Sequence, residues 1–311
     1  MPPISRRRFF AAAAVTGASF WAHTDTAVAS ASPNLQFPSR ARDRIAIASY
    51  PFREFIAGKD HKGGNPNIEL KDFATHVREK FNINKIEPWT GHFPSTDPAY
   101  LDQFRAALDQ SRAMVVNIAV DGTHSPYALN REERAKAIAF SKQWIDVAAV
   151  IGSPGLRTNI PPAPDSQPDL ARTSESLKQV VEYAAAKNIL LNLENDNPVS
   201  EDPFFLVKLI EKVNSPWLHA LPDFCNTLAA KGPQRGYPGI DAMFARAYSI
   251  CHVKSMEIGQ EGKLVHVDMQ KTFGILKAHN YMGYCSMEFD SPGDPYAGTQ
   301  ALINTTLKLL G

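Results

Sequence analysis

Four side chains in the second half of the chain share a chemistry and a spacing. Glu194 closes the run ILLNLE, Asp223 follows LHALP, His252 sits in SICHVK and Glu288 in YCSMEF. Successive intervals between them are 29, 29 and 36 residues. Each is near the roughly 31 residues of one βα unit in an eight-fold barrel of about 250 residues. Residues at the C-terminal ends of parallel barrel strands converge on one face, so ligands ending four consecutive strands meet at one point. Three carboxylates and one imidazole suit a divalent Mn, Mg, Co or Zn ion, with coordination positions left for a substrate. Any one of the four alone reads as a cap, an ion-pair partner or a hydrogen-bonded core residue. Their common placement makes one divalent metal, and hence a metal-dependent enzyme, the leading reading.

Such a site needs strands that bring the four together. Strand patterns run over 44–50, 84–89, 114–120, 155–161, 189–194, 218–224, 249–254 and 284–289. Helical patterns, with apolar residues recurring at three and four, lie between them at 70–80, 100–112, 131–150, 170–187 and 204–213. Strict alternation of strand and helix implies a parallel sheet. Eight units in about 270 residues imply closure into a single-domain α/β fold, a (β/α)8 TIM barrel over 44–311. A doubly wound open sheet is the competitor. Its nucleotide-binding form expects a glycine-rich turn after the first strand, where Ala48-Ser49-Tyr50-Pro51-Phe52 stands instead.

Composition excludes some partners. In 311 residues, 44% are hydrophobic and 33 Lys plus Arg face 32 Asp plus Glu, a formal charge of +1. Neither nucleic acid nor an anionic membrane is suggested by that balance. The three cysteines, Cys225, Cys251 and Cys285, fall in or beside strand runs and read as small buried hydrophobes rather than disulfide partners.

The first residues read as an address. Ser5-Arg6-Arg7-Arg8-Phe9-Phe10 carries paired arginines, an apolar run extends to Trp21, and small-residue sites allow cleavage after Ala29 or Ala31. Residues 1–31 therefore resemble a bacterial twin-arginine export signal, which implies a periplasmic or otherwise exported protein carried folded, with its cofactor loaded. The apolar run is short of the ~20 residues that span a bilayer, so no stable membrane anchor is expected. Residues 32–43, polar with two prolines, read as a linker or N-terminal arm.

The second half also resembles a known family, the xylose-isomerase-like TIM barrels of sugar isomerases and epimerases. The resemblance rests on Glu194, Asp223, the His252-Val253-Lys254 sequence, Val267-Asp268, and Asn280-Tyr281-Met282-Gly283 leading to Glu288, set beside the family's G-Y-x-G-x-x-x-E with Asn in place of its first glycine and one more residue before the Glu. It implies metal ligation by Glu194, Asp223, His252 and Glu288, with Glu194 and Glu288 also exchanging protons with substrate. Two positions depart from the family pattern. Leu264-Val265-His266 replaces a glycine-rich G-x-G, and Ser255 replaces an aspartate after the HVK lysine. Asn226 matches a family position that contacts substrate, or is a loop turn. Lys254 shares the inward face and could stabilise an oxyanion, or is a rim lysine. Glu87, His92 and Arg157 could hold a sugar hydroxyl or carboxylate, or form structural ion pairs. Trp89, Phe52 and Phe289 suit an apolar wall, or ordinary core.

The chemistry implied is proton abstraction next to a carbonyl through an ene-diolate, the first step of isomerisation, epimerisation and β-elimination alike. Export points to a small-molecule carbohydrate that is not phosphorylated. The alternatives are a metal-dependent lyase or dehydratase acting on a keto-sugar or keto-glycoside, and a non-catalytic sugar-binding barrel. A homo-oligomer is compatible with all three.

Overall fold

Parallel strands covered on both faces are buried at nearly every position, and these are, with polar residues such as Glu87, Arg157, Asn192, Glu194 and His252 set among the apolar ones. The computed structural model describes residues 32–58, 67–200, 202–259 and 262–311; the expected leader, 1–31, lies outside them. Strands β1 (Ile45–Ala48), β2 (Lys85–Glu87), β3 (Met114–Val115), β4 (Ile118–Val120), β5 (Gly155–Thr158), β6 (Leu190–Glu194), β7 (Leu218–Leu221) and β8 (Ile250–Val253) are almost entirely buried. A hairpin follows, β9 (Met256–Ile258) with β10 (Leu264–His266), and then β11 (Tyr284–Met287).

Two arcs of parallel strands form the wall, β3-β2-β1-β11-β8 and β4-β5-β6-β7. The bridge Trp89↔Ala119 joins them on one side, and Ala220↔Ala247 with Asp223↔His252 joins them on the other. The sheet thus closes as a TIM barrel. β3 and β4 are one barrel strand interrupted at Val116-Asn117, where the Asn117 amide turns to partners inside the barrel. The antiparallel hairpin is inserted after β8 and accounts for the longer last interval between the metal-ligand candidates.

Outer helices match the apolar periodicity, among them Pro98–Ser111, Arg131–Ile151, Leu170–Ala186 and Pro203–Val213. Several end on a left-handed residue that turns the chain into the next strand, such as Asn82, Gly152 and Asn214. Among the described residues, no helix is long and apolar enough to cross a membrane.

Residues 33–37 lie as an arm against the N-terminal ends of the strands. Phe37 packs edge-on against Tyr248 and Tyr284, with ring centroids 5.4 and 5.7 Å apart, and covers the inner cluster of Ala46, Val116, Leu221, Ile250 and Tyr284. Tyr248 Oη anchors the arm by accepting from Leu35 N at 3.2 Å.

Candidate metal centre

Each ligand candidate is delivered by local backbone structure. Glu194 is the last residue of β6 and His252 the third of β8, both without measurable exposure of consequence. Glu288 follows β11, whose approach is set by a tight turn. Asn280 takes the left-handed conformation (φ 51°) where the family pattern has glycine, an exchange that asparagine tolerates. Gly283 cannot be replaced so easily, because an added Cβ would stand 2.6 Å from the Tyr248 carbonyl oxygen.

Asp223 lies beyond β7. Its Oδ1 accepts from the backbone N–H groups of Cys225 (2.8 Å) and Asn226 (2.7 Å), at the start of the short helix Asn226–Lys231. Asn195 clamps the same turn, accepting from Asp223 N at 2.7 Å and donating to its carbonyl at 3.2 Å. One carboxylate oxygen is consumed by the turn, and Oδ2 is left for the centre.

Glu194, Asp223, His252 and Glu288 each offer a ligand atom within 4.8 Å of the others, and all four are buried. His252 Nδ1 lies 2.7 Å from Glu194 Oε1 and 3.0 Å from Glu288 Oε2, so this nitrogen faces both carboxylates. Its other nitrogen, Nε2, lies 2.9 Å from Glu87 Oε2. Glu87 Oε1 accepts from Asn117 Nδ2 (2.7 Å), Asn117 Oδ1 from Asn192 Nδ2 (3.2 Å), and Asn192 Oδ1 from Ser249 Oγ (3.1 Å). A polar chain through the barrel interior therefore orients the imidazole, as carboxylate partners do for metal-binding histidines.

Two cations complete the surroundings. Arg157 Nε lies 2.5 Å from Glu194 Oε2, and its Nη1 pairs with Asp121. Asp121 also accepts from Trp89 Nε1 at 2.6 Å. Lys254 Nζ donates to Asn226 Oδ1 at 2.8 Å and stands 3.4 Å from Glu288, 3.6 Å from Asp223 and 3.6 Å from Glu257.

The charge count fits a divalent ion. Four fully buried carboxylates, Glu87, Glu194, Asp223 and Glu288, face two buried cations, Arg157 and Lys254. With His252 neutral, two negative charges remain for an ion to balance. The carboxyl groups respond in two ways: against the effect of burial, His252 and Lys254 hold Glu288 below its ordinary value and His252 holds Glu87 below its own, whereas Asp223 and Glu194 rise. Burial, reinforced by Glu194 and Glu288 and opposed by Lys254, pushes Asp223 up to about 8. Burial also raises Glu194, against the opposing charges of Arg157 and His252. His252 is raised well above its ordinary value because Glu194, Glu288 and Glu87 together outweigh its burial, which marks its position as one that favours positive charge. Glu194 Oε2, Asp223 Oδ2 and Glu288 Oε2 are buried, and the partners they have among the described residues are charged ones: Arg157 for Glu194, Lys254 for Asp223, and His252 with Lys254 for Glu288. Such oxygens are those a hard ion would take.

The other residues singled out in the sequence are distributed unevenly. Arg157, Asn226 and Lys254 border the ligand set. Glu87 stands behind His252, with both oxygens engaged by protein groups. His92 is buried, its Nδ1 2.8 Å from Ser49 Oγ and its ring edge-on to Trp89. Phe52 is core, packed on Phe73 and Tyr296, whereas Trp89 meets Tyr50 edge-on at 5.2 Å. Asn117, Asp121, Asn195 and Glu257 were not anticipated. A polar Asn117 inside an apolar strand run is a signal that could have been read; Glu257, on the inserted hairpin, carries none.

A family model described as xylose isomerase-like TIM barrel matches residues 79–308. No curated protein matches the sequence. Among solved structures, the chain is similar to D-psicose 3-epimerase from Clostridium cellulolyticum, with TM-score 0.68 and 13% identity over 86% of this chain and 99% of that one. It is similar to a xylose isomerase-like TIM barrel protein from Mycobacterium smegmatis, in complex with magnesium, with TM-score 0.65 and 16% identity over 88% and 100%. It is also similar to 3-keto-D-glucoside 4-epimerase from E. coli, with TM-score 0.60 and 14% identity over 86% and 98%. At these identities the likeness is one of fold.

Proposed function

Because the chain belongs to the xylose isomerase-like TIM barrel family, we propose that it is a divalent-metal-dependent isomerase or epimerase of a non-phosphorylated sugar. The observation that carries this reading is the convergence of Glu194, Asp223, His252 and Glu288, each offering a buried ligand atom within 4.8 Å of the others. When bound, a divalent ion supplies Lewis-acid polarisation of a substrate oxygen. The chain's own residues do the rest. Glu194 and Glu288 approach the same imidazole nitrogen, at 2.7 and 3.0 Å, and so flank one small volume. Carboxylates so placed can take a proton from a carbon next to a carbonyl and return one to it. Arg157 fixes Glu194, and Lys254 sits where it can hold an anionic oxygen.

The test is exchange in heavy water. With manganese-loaded protein and a panel of free and 3-keto sugars, a substrate should acquire deuterium at the carbon next to its carbonyl, read by NMR. Glu288→Gln should slow that exchange on the order of 10²- to 10⁴-fold. Turnover without solvent deuterium would instead mean internal hydride transfer or complete proton retention.

Export by the twin-arginine route is part of the proposal. Arg6→Lys with Arg7→Lys should hold the protein in the cytoplasm, since that signal is read by a receptor. Undiminished protein in the periplasmic fraction would point to another route.

A further inference from the structure

The metal ligands leave one flank of Lys254 without an assigned role. A depression of about 250 Å³ opens there, between the turn after β6, the helix Asn226–Lys231 and strand β9, with Asp196, Asn226, Ala229, Ala230, Glu257 and Gly259 among its walls. Lys254 links it to the metal centre, touching Asn226 and Glu257 on one side and Glu288 and Asp223 on the other. The depression thus begins one side chain away from the ligands.

Its polar groups are not spent on each other. Asn226 is only 8% exposed; its Oδ1 accepts from Lys254, while its Nδ2 makes no hydrogen bond among the described residues. Glu257 has Oε2 buried 3.6 Å from Lys254 Nζ, and its partly exposed carboxylate meets the depression through the other oxygen. Asp196, opposite, keeps capacity beyond its bonds to Asn159 Nδ2 (3.2 Å) and Asn197 N (2.9 Å), since a carboxylate offers about four acceptor sites.

That inventory selects a ligand chemistry. Two carboxylates oppose an anion, and an amide N–H beside an ammonium group opposes a cation. Hydroxyl groups satisfy both, donating to Asp196 and Glu257 and accepting from Asn226. The volume lies below the about 300 Å³ at which pockets for whole ligands begin, a scale suited to one ring of a larger molecule.

We infer that this depression is a subsite for a second sugar ring, so that the substrate is a glycosylated keto sugar rather than a free one. The inference rests on the reading of the metal centre proposed above. D-fructose and its O3-, O4- and O6-glycosyl derivatives turanose, lactulose and isomaltulose share the ketose and differ in the position of the second ring, which is α-glucosyl in turanose and isomaltulose and β-galactosyl in lactulose. With manganese-loaded protein, calorimetry should give at least one of the three an affinity ten-fold or more above that of fructose. Saturation-transfer NMR should then reach its glycosyl ring protons. Ala230→Trp, which fills the depression, and Asp196→Ala, which removes a carboxylate without adding bulk, should each abolish the gain and leave fructose binding unchanged.

Fructose that binds and takes up deuterium, with no gain for any glycosylated form, overturns the subsite alone. So does a gain that survives both substitutions, or a loss that falls equally on fructose. Absence of binding and exchange for these four sugars and for the whole panel of free and 3-keto sugars overturns the proposed function and the subsite with it, and absence for these four alone overturns the subsite.

Discussion

The two halves of the barrel contribute differently to one site. The second half supplies the proposed ligands, from β6, the turn after β7, β8 and the residue after β11. The first half supplies what holds them: Glu87 at the end of β2 and Asn117 between β3 and β4 orient His252, and Arg157 on β5 fixes Glu194. A ligand must reach the C-terminal mouth, so it is confined to a strand end. A holding residue can act from any depth at which its hydrogen bond reaches. The halves should therefore respond differently to substitution.

The largest effect is expected in the second half. His252→Ala removes the one nitrogen ligand and should lower metal affinity by more than the about 10- to 100-fold typical of losing a partner behind a ligand. Exchange of substrate protons should fall to background with it. Metal content measured by elemental analysis after dialysis checks this, and unchanged occupancy would remove His252 from the ligand set.

In the first half, Glu87→Gln keeps the shape and one acceptor but loses the charge that faces His252 Nε2. Metal affinity should fall within the about 10- to 100-fold range, and kcat should recover once metal is saturating. A loss of kcat/KM that persists at saturating metal, with affinity unchanged, would place Glu87 at the substrate instead. That outcome would erase the distinction between the halves at this residue.

The same distinction explains what the sequence made legible. Strand ends at a regular spacing are visible in one dimension, so the barrel and the clustering of Glu194, Asp223, His252 and Glu288 follow from the sequence. Glu87 and Arg157 were visible as polar strand residues, but their partners are 165 and 37 residues away, and no local pattern encodes those pairings. The helix Pro233–Phe244 was hidden for another reason. It contains Gly236, Pro238 and Gly239, and glycine and proline in helix interiors cost about 1 and 3 kcal/mol. Packing overrides that propensity, since a Cβ on Gly239 would come 2.2 Å from Pro203 Cγ on the neighbouring helix. The inserted hairpin announced itself only as a longer interval.

The smallest effect on chemistry is expected at the other end of the barrel. Phe37 covers the strand N-termini, and its ring is half-buried against Tyr248 and Tyr284. A fully buried Phe→Ala change costs about 3–5 kcal/mol, and the exposed part of this ring lowers the expectation for Phe37→Ala to about 1–2 kcal/mol. At about 2–4 °C per kcal/mol for a domain of this size, the melting temperature should drop by about 2–8 °C. Metal affinity should not change, because conservation of fold at the N-terminal face of such barrels serves stability while the opposite face carries the chemistry. The polar chain from Ser249 to His252 is the one route by which the two ends could communicate, because Ser249 immediately precedes Ile250 of the cluster that Phe37 covers. A Phe37→Ala protein that melts at the wild-type temperature would mean that the arm does not seal the barrel. One that melts lower and also binds metal more weakly would mean that the interior chain transmits the disturbance, and that holding His252 depends on the arm as well as on Glu87.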